Sequence, residues 1–104
     1  MIKVSVITVC YNAEKTIERT VESVISQSYP NFEYVIVDGG SRDSTLDIIE
    51  KYSLNISSLI SEPDNGIYDA MNKGVQISTG MYVIFMNSGD IFVDNNVLLN
   101  LFSN

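Results

Sequence analysis

Four short apolar runs alternate along the chain with stretches in which apolar residues recur at helical spacing. The first run, residues 4–9, is β-branched and too continuously apolar for a half-exposed strand. Such a run predicts a parallel strand that is covered on both faces. Further runs at 32–37 and 81–86, with a weaker one at 56–60, predict three more strands.

Each predicted strand is followed by a segment with helical periodicity. Residues 17–25 place their aliphatic side chains on one face and most of their charges on the other, which predicts an amphipathic helix. The same spacing predicts helices over about 44–52 and 67–78, and a short one from about Asn95. The residues of the 67–78 helix predicted to face the core are Ile67, Ala70, Met71 and Val75.

Short connections join these alternating strands and helices. Units of this kind form right-handed crossovers and a mainly parallel sheet. No repeat, low-complexity tract or linker interrupts the 104 residues, so we predict one α/β domain spanning 1–104. Asn12 is the candidate N-cap of the first helix, and Ser41 or Asp43 that of the second.

Carboxylates follow three of the four predicted strands, at Asp38, Asp64 and Asp90. Ligands of parallel sheets bind beyond the carboxyl ends of the strands. We expect Asp38 and Asp90 to end neighbouring strands and to flank a common cleft. Like charges gathered in one cleft repel unless a cation lies among them, so the cluster is a hypothesis for a metal site. The alternative is that these polar, glycine-containing segments are only turns and caps.

The strand ends contain no glycine-rich phosphate-binding loop of a known type. Neither G-x-x-x-x-G-K-[ST] nor G-x-G-x-x-G after the first strand is present, so phosphates would be held mainly by a metal. Tyr11 and Tyr68 lie beside two strand ends, where an aromatic ring either stacks on a base or packs in the core.

Charge narrows the range of partners. The net charge is −7, with 6 scattered Lys and Arg residues, which argues against nucleic acid. The chain has no His, and its single Cys10 is interpreted as a small buried residue in a reducing compartment, so a zinc site is not expected. No secretory signal or run of about 20 apolar residues is present, which predicts a cytoplasmic location, at the cytoplasmic face of a membrane if an anchor lies elsewhere.

The motifs taken together resemble the family 2 glycosyltransferases of the GT-A fold. The resemblance covers nearly the whole chain, in order and at the right spacings, although each piece alone is unspecific. The segments that carry it are VSVITVCYN (4–12), VDGGS (37–41) with DST (43–45), SEPDNGIYDAMNKG (61–74), and NSGD (87–90) after Gly80.

This resemblance implies a three-layer α/β sandwich that binds a nucleotide-diphosphate sugar, with a UDP-sugar as the expected donor. It implies that Thr8, Tyr11 and Asp38 line the nucleoside pocket, with Asp38 contacting the base. The residues it places toward the ribose or diphosphate are Asp69, Asn72 and Lys73.

Asp90 falls at the last position of the family's D-x-D-like metal motif. The resemblance therefore implies a divalent metal, Mn²⁺ or Mg²⁺, bound through Asp90. Ser88 and Gly89 stand where carboxylates often occur, which leaves Asp90 as the sole strong ligand.

The resemblance also implies the reaction. An acceptor hydroxyl, on a glycan or lipid-linked acceptor, would attack the anomeric carbon with inversion, in polysaccharide or cell-surface glycan synthesis. The family's catalytic base lies after the metal motif, so we expect this chain to be the N-terminal, donor-binding part of a longer enzyme, with no catalytic residue of its own and little transfer activity. The free edge of its last strand predicts self-association.

Two other functions share a metal-bound, parallel α/β architecture. A nucleotidyltransferase is disfavoured because no basic, glycine-rich loop follows the first strand. A receiver-like module that binds Mg²⁺ is disfavoured because no lysine occupies a strand end.

Overall fold

The computed structural model describes residues 1–103 and confirms an α/β fold around one parallel sheet. The four strands are β1 Val4–Cys10, β2 Phe32–Asp38, β3 Ser58–Ser61 and β4 Tyr82–Phe85. Their order is β3-β2-β1-β4, and every residue of β1 is buried. This central position explains why the first apolar run has no polar face.

Helices cover both faces of the sheet. The four α-helices are α1 Ile17–Ile25, α2 Thr45–Glu50, α3 Ile67–Ile77 and α4 Val97–Phe102, and a 3₁₀ turn spans Ser53–Asn55. Side chains of α1, α2 and α4 pack with Val4, Val6 and Cys10 on one face, and α3 packs with Ile7 and Val9 on the other. The result is a three-layer sandwich. Within residues 1–103, no helix has the length and apolar character needed to cross a bilayer.

The contact of α3 with the sheet differs from the prediction. Ile67 and Val75 were expected to face the core, but both are about half exposed. The helix instead touches the sheet through the buried Ala70 and Gly74. A Cβ atom at position 74 would lie 2.7 Å from Cγ2 of Ile7, so only glycine permits this close approach. The contact stripe is therefore narrower than the apolar pattern indicates.

None of the three predicted caps occupies an N-cap position. Asp43 lies one residue before Ser44, the N-cap of α2, although its carboxylate accepts a hydrogen bond of 2.9 Å from the backbone N–H of Thr45, the first residue of that helix. Asn12 does not cap α1, because it lies four residues before Thr16, the N-cap, and accepts instead from the N–H of Arg42 at 2.8 Å. Ser41 does not cap α2 either, because its hydroxyl accepts from the N–H of Asn12 and donates to the Asp38 carboxylate.

Strand order corrects one expectation about the carboxylates. Asp38 ends β2, and Asp90 follows β4, but β1 lies between these two strands. They are therefore not neighbours in the sheet, although all four strands run parallel and share one carboxyl edge. As the last strand in the order, β4 also has a free edge, and the self-association expected from it stays a prediction.

At the opposite edge of the sheet, Glu33 joins three segments of the chain. Its carboxylate accepts from the Ser5 hydroxyl at 2.5 Å and from the Thr79 N–H at 2.6 Å, and it lies 3.9 Å from the ammonium of Lys3. Burial raises the pKa of Glu33, but the hydrogen bonds from Ser5 and Thr79 outweigh that effect, and the pKa is lowered overall.

Acid is expected to remove this stabilisation. The pKa of Glu33 is lower in the folded chain than in the unfolded chain. Its contribution to the free energy of unfolding is therefore fully present above the ordinary pKa of a glutamate, about 4.3, and is lost as the pH falls through the lowered pKa of the folded chain. Urea unfolding should therefore show Glu33→Gln to be less stable than the native chain at neutral pH, with the difference shrinking in acid. A gap that stays constant with pH would contradict this role.

Candidate functional site

The backbone continues the sheet's hydrogen-bond pattern past the ends of the strands. The N–H of Gly39 donates to the Cys10 carbonyl at 2.9 Å, and the N–H of Glu62 donates to the Asp38 carbonyl at 3.0 Å. On the other side of β1, the N–H of Ser88 donates to the Val9 carbonyl at 3.1 Å. The segments after all four strands therefore meet at one edge, as the topology predicted.

A cleft of about 530 Å³ opens at this edge. Its floor is the end of β1 at Val9 and Cys10, and its walls come from residues 11–16, 64–70 and 87–88. The lining mixes apolar side chains with the polar groups of Asp64, Ser88 and their neighbours, which is the usual composition of a small-molecule site.

Tyr11 is the nucleoside-pocket candidate that lines this cleft. Its side chain is 59% exposed, so its ring is free to meet a ligand. Tyr68, the other aromatic candidate, is 79% exposed and lies outside the cleft lining. Thr8 is fully buried in β1, directly before the cleft-floor residue Val9, and its hydroxyl is 2.7 Å from that of Tyr34 in the core.

Asp38 is fully buried beneath the loop that follows β2. Its carboxylate accepts from the N–H groups of Gly40 and Ser41 at 3.1 and 2.9 Å. It also accepts from the hydroxyls of Ser41 at 2.5 Å and Ser61 at 3.0 Å. These bonds join the loop after β2 to the last residue of β3, and the Asp38 side chain is not part of the cleft wall.

Cys10 confirms the expectation of a small buried residue. Its thiol lies 3.5 Å from Oδ1 of Asp38 at the floor of the cleft. Burial, followed by the negative charge of Asp38, raises the pKa of the Cys10 thiol above its ordinary value. The thiol is therefore protonated at neutral pH and contributes bulk to the cleft floor.

The three α3 candidates lie beside the cleft. Asp69 accepts from the N–H of Asn65 at 2.9 Å, and Lys73 donates to the carbonyl of Pro63 at 3.2 Å. Burial lowers the pKa of Lys73, but its pairing with Glu62 outweighs that effect, so the pKa is raised. Asp69 and Lys73 thus hold the loop before α3, and Asn72 is exposed. None of the three candidates is part of the cleft lining.

Asp90 is exposed at the end of a tight turn. Its N–H donates to the Asn87 carbonyl at 2.8 Å, and its Oδ2 accepts from the Asn87 N–H at 3.0 Å. Asn87 is a residue of the cleft lining, and its Oδ1 is buried without a hydrogen-bond partner in the described chain. Such an atom favours a bound donor or cation, because an unpaired buried acceptor costs free energy.

The donor set at this turn fits a hard cation only in part. Carboxylate and amide oxygens suit Mg²⁺ or Mn²⁺, and nucleotide sites use one or two protein carboxylates with phosphate oxygens and water completing the shell. Within residues 1–103, no group of three metal-ligating side chains is present. The residues therefore fit a cation that is held jointly with a phosphate ligand.

The cleft and its turn can be compared with known proteins. The profile described as "Glycosyl transferase family 2" matches residues 5–103. The chain belongs to glycosyl transferase family 2. It is therefore a glycosyltransferase sequence, and both rival functions, the nucleotidyltransferase and the receiver-like module, lose their support.

Relatives and solved structures agree with this family. A PGL/p-HBAD biosynthesis glycosyltransferase of Mycobacterium tuberculosis is 34% identical over 97 residues, which are 90% of this chain and 38% of that protein. The structure of S. aureus TarS 1–349 with UDP-GlcNAc superposes with a TM-score of 0.85 and 32% identity, over 95% of this chain and 30% of that one.

A second solved structure has the same fold with another donor. The mannosyltransferase PcManGT of Pyrobaculum calidifontis, in complex with GDP-Man and Mn²⁺, superposes with a TM-score of 0.85 and 26% identity. The match covers 93% of this chain and 30% of that one. The GT-A fold expected from the sequence is thus confirmed, and the chain spans well under half the length of the relatives it matches.

Sequence reasoning missed part of this glycosyltransferase's cleft. Ala13, Thr16, Gly66, Ile67 and Ala70 line it but were not among the predicted site residues. Their positions in the sequence could have predicted this, because residues that follow β1, and residues at the start of α3 after β3, begin at the carboxyl edge where ligands bind.

Proposed function

We propose that this chain binds the nucleoside diphosphate portion of a donor sugar, a UDP-sugar, in the cleft at the carboxyl edge. The observation that carries the proposal is the cleft of about 530 Å³ between the segments after β1, β3 and β4; its lining includes Asn87, whose buried Oδ1 has no hydrogen-bond partner within residues 1–103. In their solved complexes, TarS holds UDP-GlcNAc and PcManGT holds GDP-Man, so donors of this class suit the fold.

Within the cleft, Tyr11 is the proposed partner of the nucleobase. Its exposed ring offers a face for stacking. We assign Thr8 and Asp38 to the support of this pocket, since both side chains are fully buried and hydrogen-bonded to protein groups. The proposed residues on the ribose or diphosphate side remain Asp69, Asn72 and Lys73. Asp69 and Lys73 hold the loop before α3 and would act on the ligand through that loop.

Asp90, with Oδ1 of Asn87 beside it in the turn, is the proposed protein contribution to a Mn²⁺ or Mg²⁺ site. A divalent cation bound there supplies positive charge that stabilises a departing diphosphate. The exposed carboxylate of Asp90 and the absence of any nearby basic side chain in the turn suit this role.

The proposed reaction is an inverting transfer. An acceptor hydroxyl on a glycan or lipid-linked acceptor displaces the diphosphate from the anomeric carbon, and a base outside the residues assigned here removes its proton. The described residues assign only the donor-binding half of this chemistry. The cytoplasmic location expected from the sequence remains a prediction.

Isothermal calorimetry with UDP, in the presence and absence of Mn²⁺, tests the proposal. Tighter UDP binding in Mn²⁺ supports it, whereas Mn²⁺ binding that is indifferent to nucleotide contradicts it.

A matched pair of tyrosine variants tests where the nucleobase of UDP binds. Tyr11→Ala is expected to weaken UDP binding about tenfold, since stacking of a base on an aromatic ring contributes about 1–3 kcal/mol. Tyr68→Ala, which removes a more exposed ring outside the cleft lining, should leave the affinity unchanged.

A further inference from the structure

A row of polar side chains runs along one side of α1 and its two flanking turns. Thr16, Thr20, Ser23 and Gln27 follow one another at intervals of four, three and four residues, so they share one face of the helix. Thr20 is fully buried and Gln27 is 7% exposed, which shows that this polar face is turned toward protein. The cleft uses only Thr16 of this row.

Each of these side chains bonds to the segment that follows β4. The Thr16 hydroxyl lies 2.8 Å from that of Ser88, and the Thr20 hydroxyl accepts from the N–H of Gly89 at 2.9 Å. The Ser23 hydroxyl accepts from the N–H of Phe92 at 3.3 Å. The Gln27 amide donates to the Asp94 carbonyl at 2.6 Å and accepts from the N–H of Leu98 at 3.1 Å. The row therefore fixes residues 88–98 on α1 at successive points.

The bond from Gly89 to Thr20 lies at the turn that carries Asp90. Gly89 has a φ of +101°, a backbone conformation that favours glycine, and its N–H points to the Thr20 hydroxyl. The next residue is Asp90, whose backbone and side chain both bond to Asn87. Of the hydrogen bonds made by this row, the bond between the Gly89 N–H and the Thr20 hydroxyl is therefore closest along the chain to Asp90.

We infer that Thr20 is a positioning residue, whose buried hydroxyl holds Gly89 so that the Asp90 carboxylate keeps its place beside the cleft. This inference rests on the proposed function, in which Asp90 meets the cation that accompanies the nucleotide. Groups that orient a metal ligand without touching the metal commonly contribute strongly to metal affinity. Ser23 and Gln27 hold the later part of the segment and serve as comparisons.

The test compares UDP affinity with and without Mn²⁺ in the chain and in three variants. Thr20→Val keeps the shape of the side chain but removes the acceptor for Gly89, and should reduce the gain in affinity from Mn²⁺ about tenfold. Thr20→Ser restores the hydroxyl and should restore the gain. Ser23→Ala also removes the acceptor for one backbone N–H, that of Phe92, and should retain the gain.

A second readout is independent of metal and nucleotide. Amide hydrogen exchange of Gly89 should accelerate in Thr20→Val and return to the native rate in Thr20→Ser. If Thr20→Val exchanges at the native rate at Gly89, or keeps the full gain from Mn²⁺, the inference about Thr20 is overturned while the proposed function stands. If the unchanged chain shows no gain from Mn²⁺, the proposed function fails, and the inference falls with it.

Discussion

Replacing Asp38 with alanine is expected to lower the free energy of unfolding by about 3 kcal/mol, because each buried donor left without an acceptor costs about 1–3 kcal/mol. The change removes the acceptor for the N–H groups of Gly40 and Ser41 and for the hydroxyls of Ser41 and Ser61. These bonds join the loop after β2 to the last residue of β3, so the loss should also loosen the edge of the sheet on which the cleft is built. Urea unfolding followed by circular dichroism measures the change.

Two controls separate this role from a general effect of lost charge. Asp38→Asn keeps one acceptor oxygen and should lose only part of the stability. Asp47→Ala removes an exposed carboxylate from α2 and should change stability by less than about 0.5 kcal/mol. An Asp38→Ala chain as stable as the Asp47→Ala chain would show that the network at the strand ends contributes little.

Asp90→Asn is expected to abolish the gain in UDP affinity that Mn²⁺ provides, a loss of about tenfold or more, equivalent to about 1.4 kcal/mol. The substitution keeps an oxygen that can accept from the Asn87 N–H, so the turn should persist while the negative charge is lost. Calorimetric titration of UDP into the variant, with and without Mn²⁺, measures the effect.

Asp94→Asn is the matched control for this substitution. Asp94 lies four residues further along the same segment, and its carboxylate accepts from the N–H of Asn96 at 2.8 Å, whereas that of Asp90 accepts from the N–H of Asn87, a residue of the cleft lining. The control should retain the full gain from Mn²⁺. Equal losses in the two variants would indicate a general effect of charge, and no loss at Asp90 would remove the proposed metal ligand.

The sheet was predictable because its strands carry their burial in the sequence. β1 and β2 are β-branched runs that are almost fully covered, and this pattern has few alternatives. β3 begins at Ser58, two residues later than expected, and a 3₁₀ turn, Ser53–Asn55, lies in the connection before it. Periodicity does not report such a turn, since its few residues complete no pattern.

The functions of polar residues were harder to predict from the sequence. Asp38 was predicted to contact the base, which stays a prediction; its bonds at the strand ends were not predicted, because carboxylates that organise a turn and carboxylates that bind a ligand occur in the same Gly- and Ser-rich segments. Thr20 and Gln27 gave no signal, because polar residues at helical spacing usually face water. Their burial follows only from the docking of residues 88–98 on α1, which is a tertiary contact.

The central claim is that a nucleotide binds at the carboxyl edge of the sheet, between the segments after β1, β3 and β4. Backbone amide shifts of the ¹⁵N-labelled chain, recorded by NMR during titration with UDP and Mg²⁺, test it most directly. The account predicts that the largest shift changes fall in residues 11–16, 64–70 and 87–90. Changes concentrated at the opposite edge, around Lys3, Glu33 and Thr79, would contradict it.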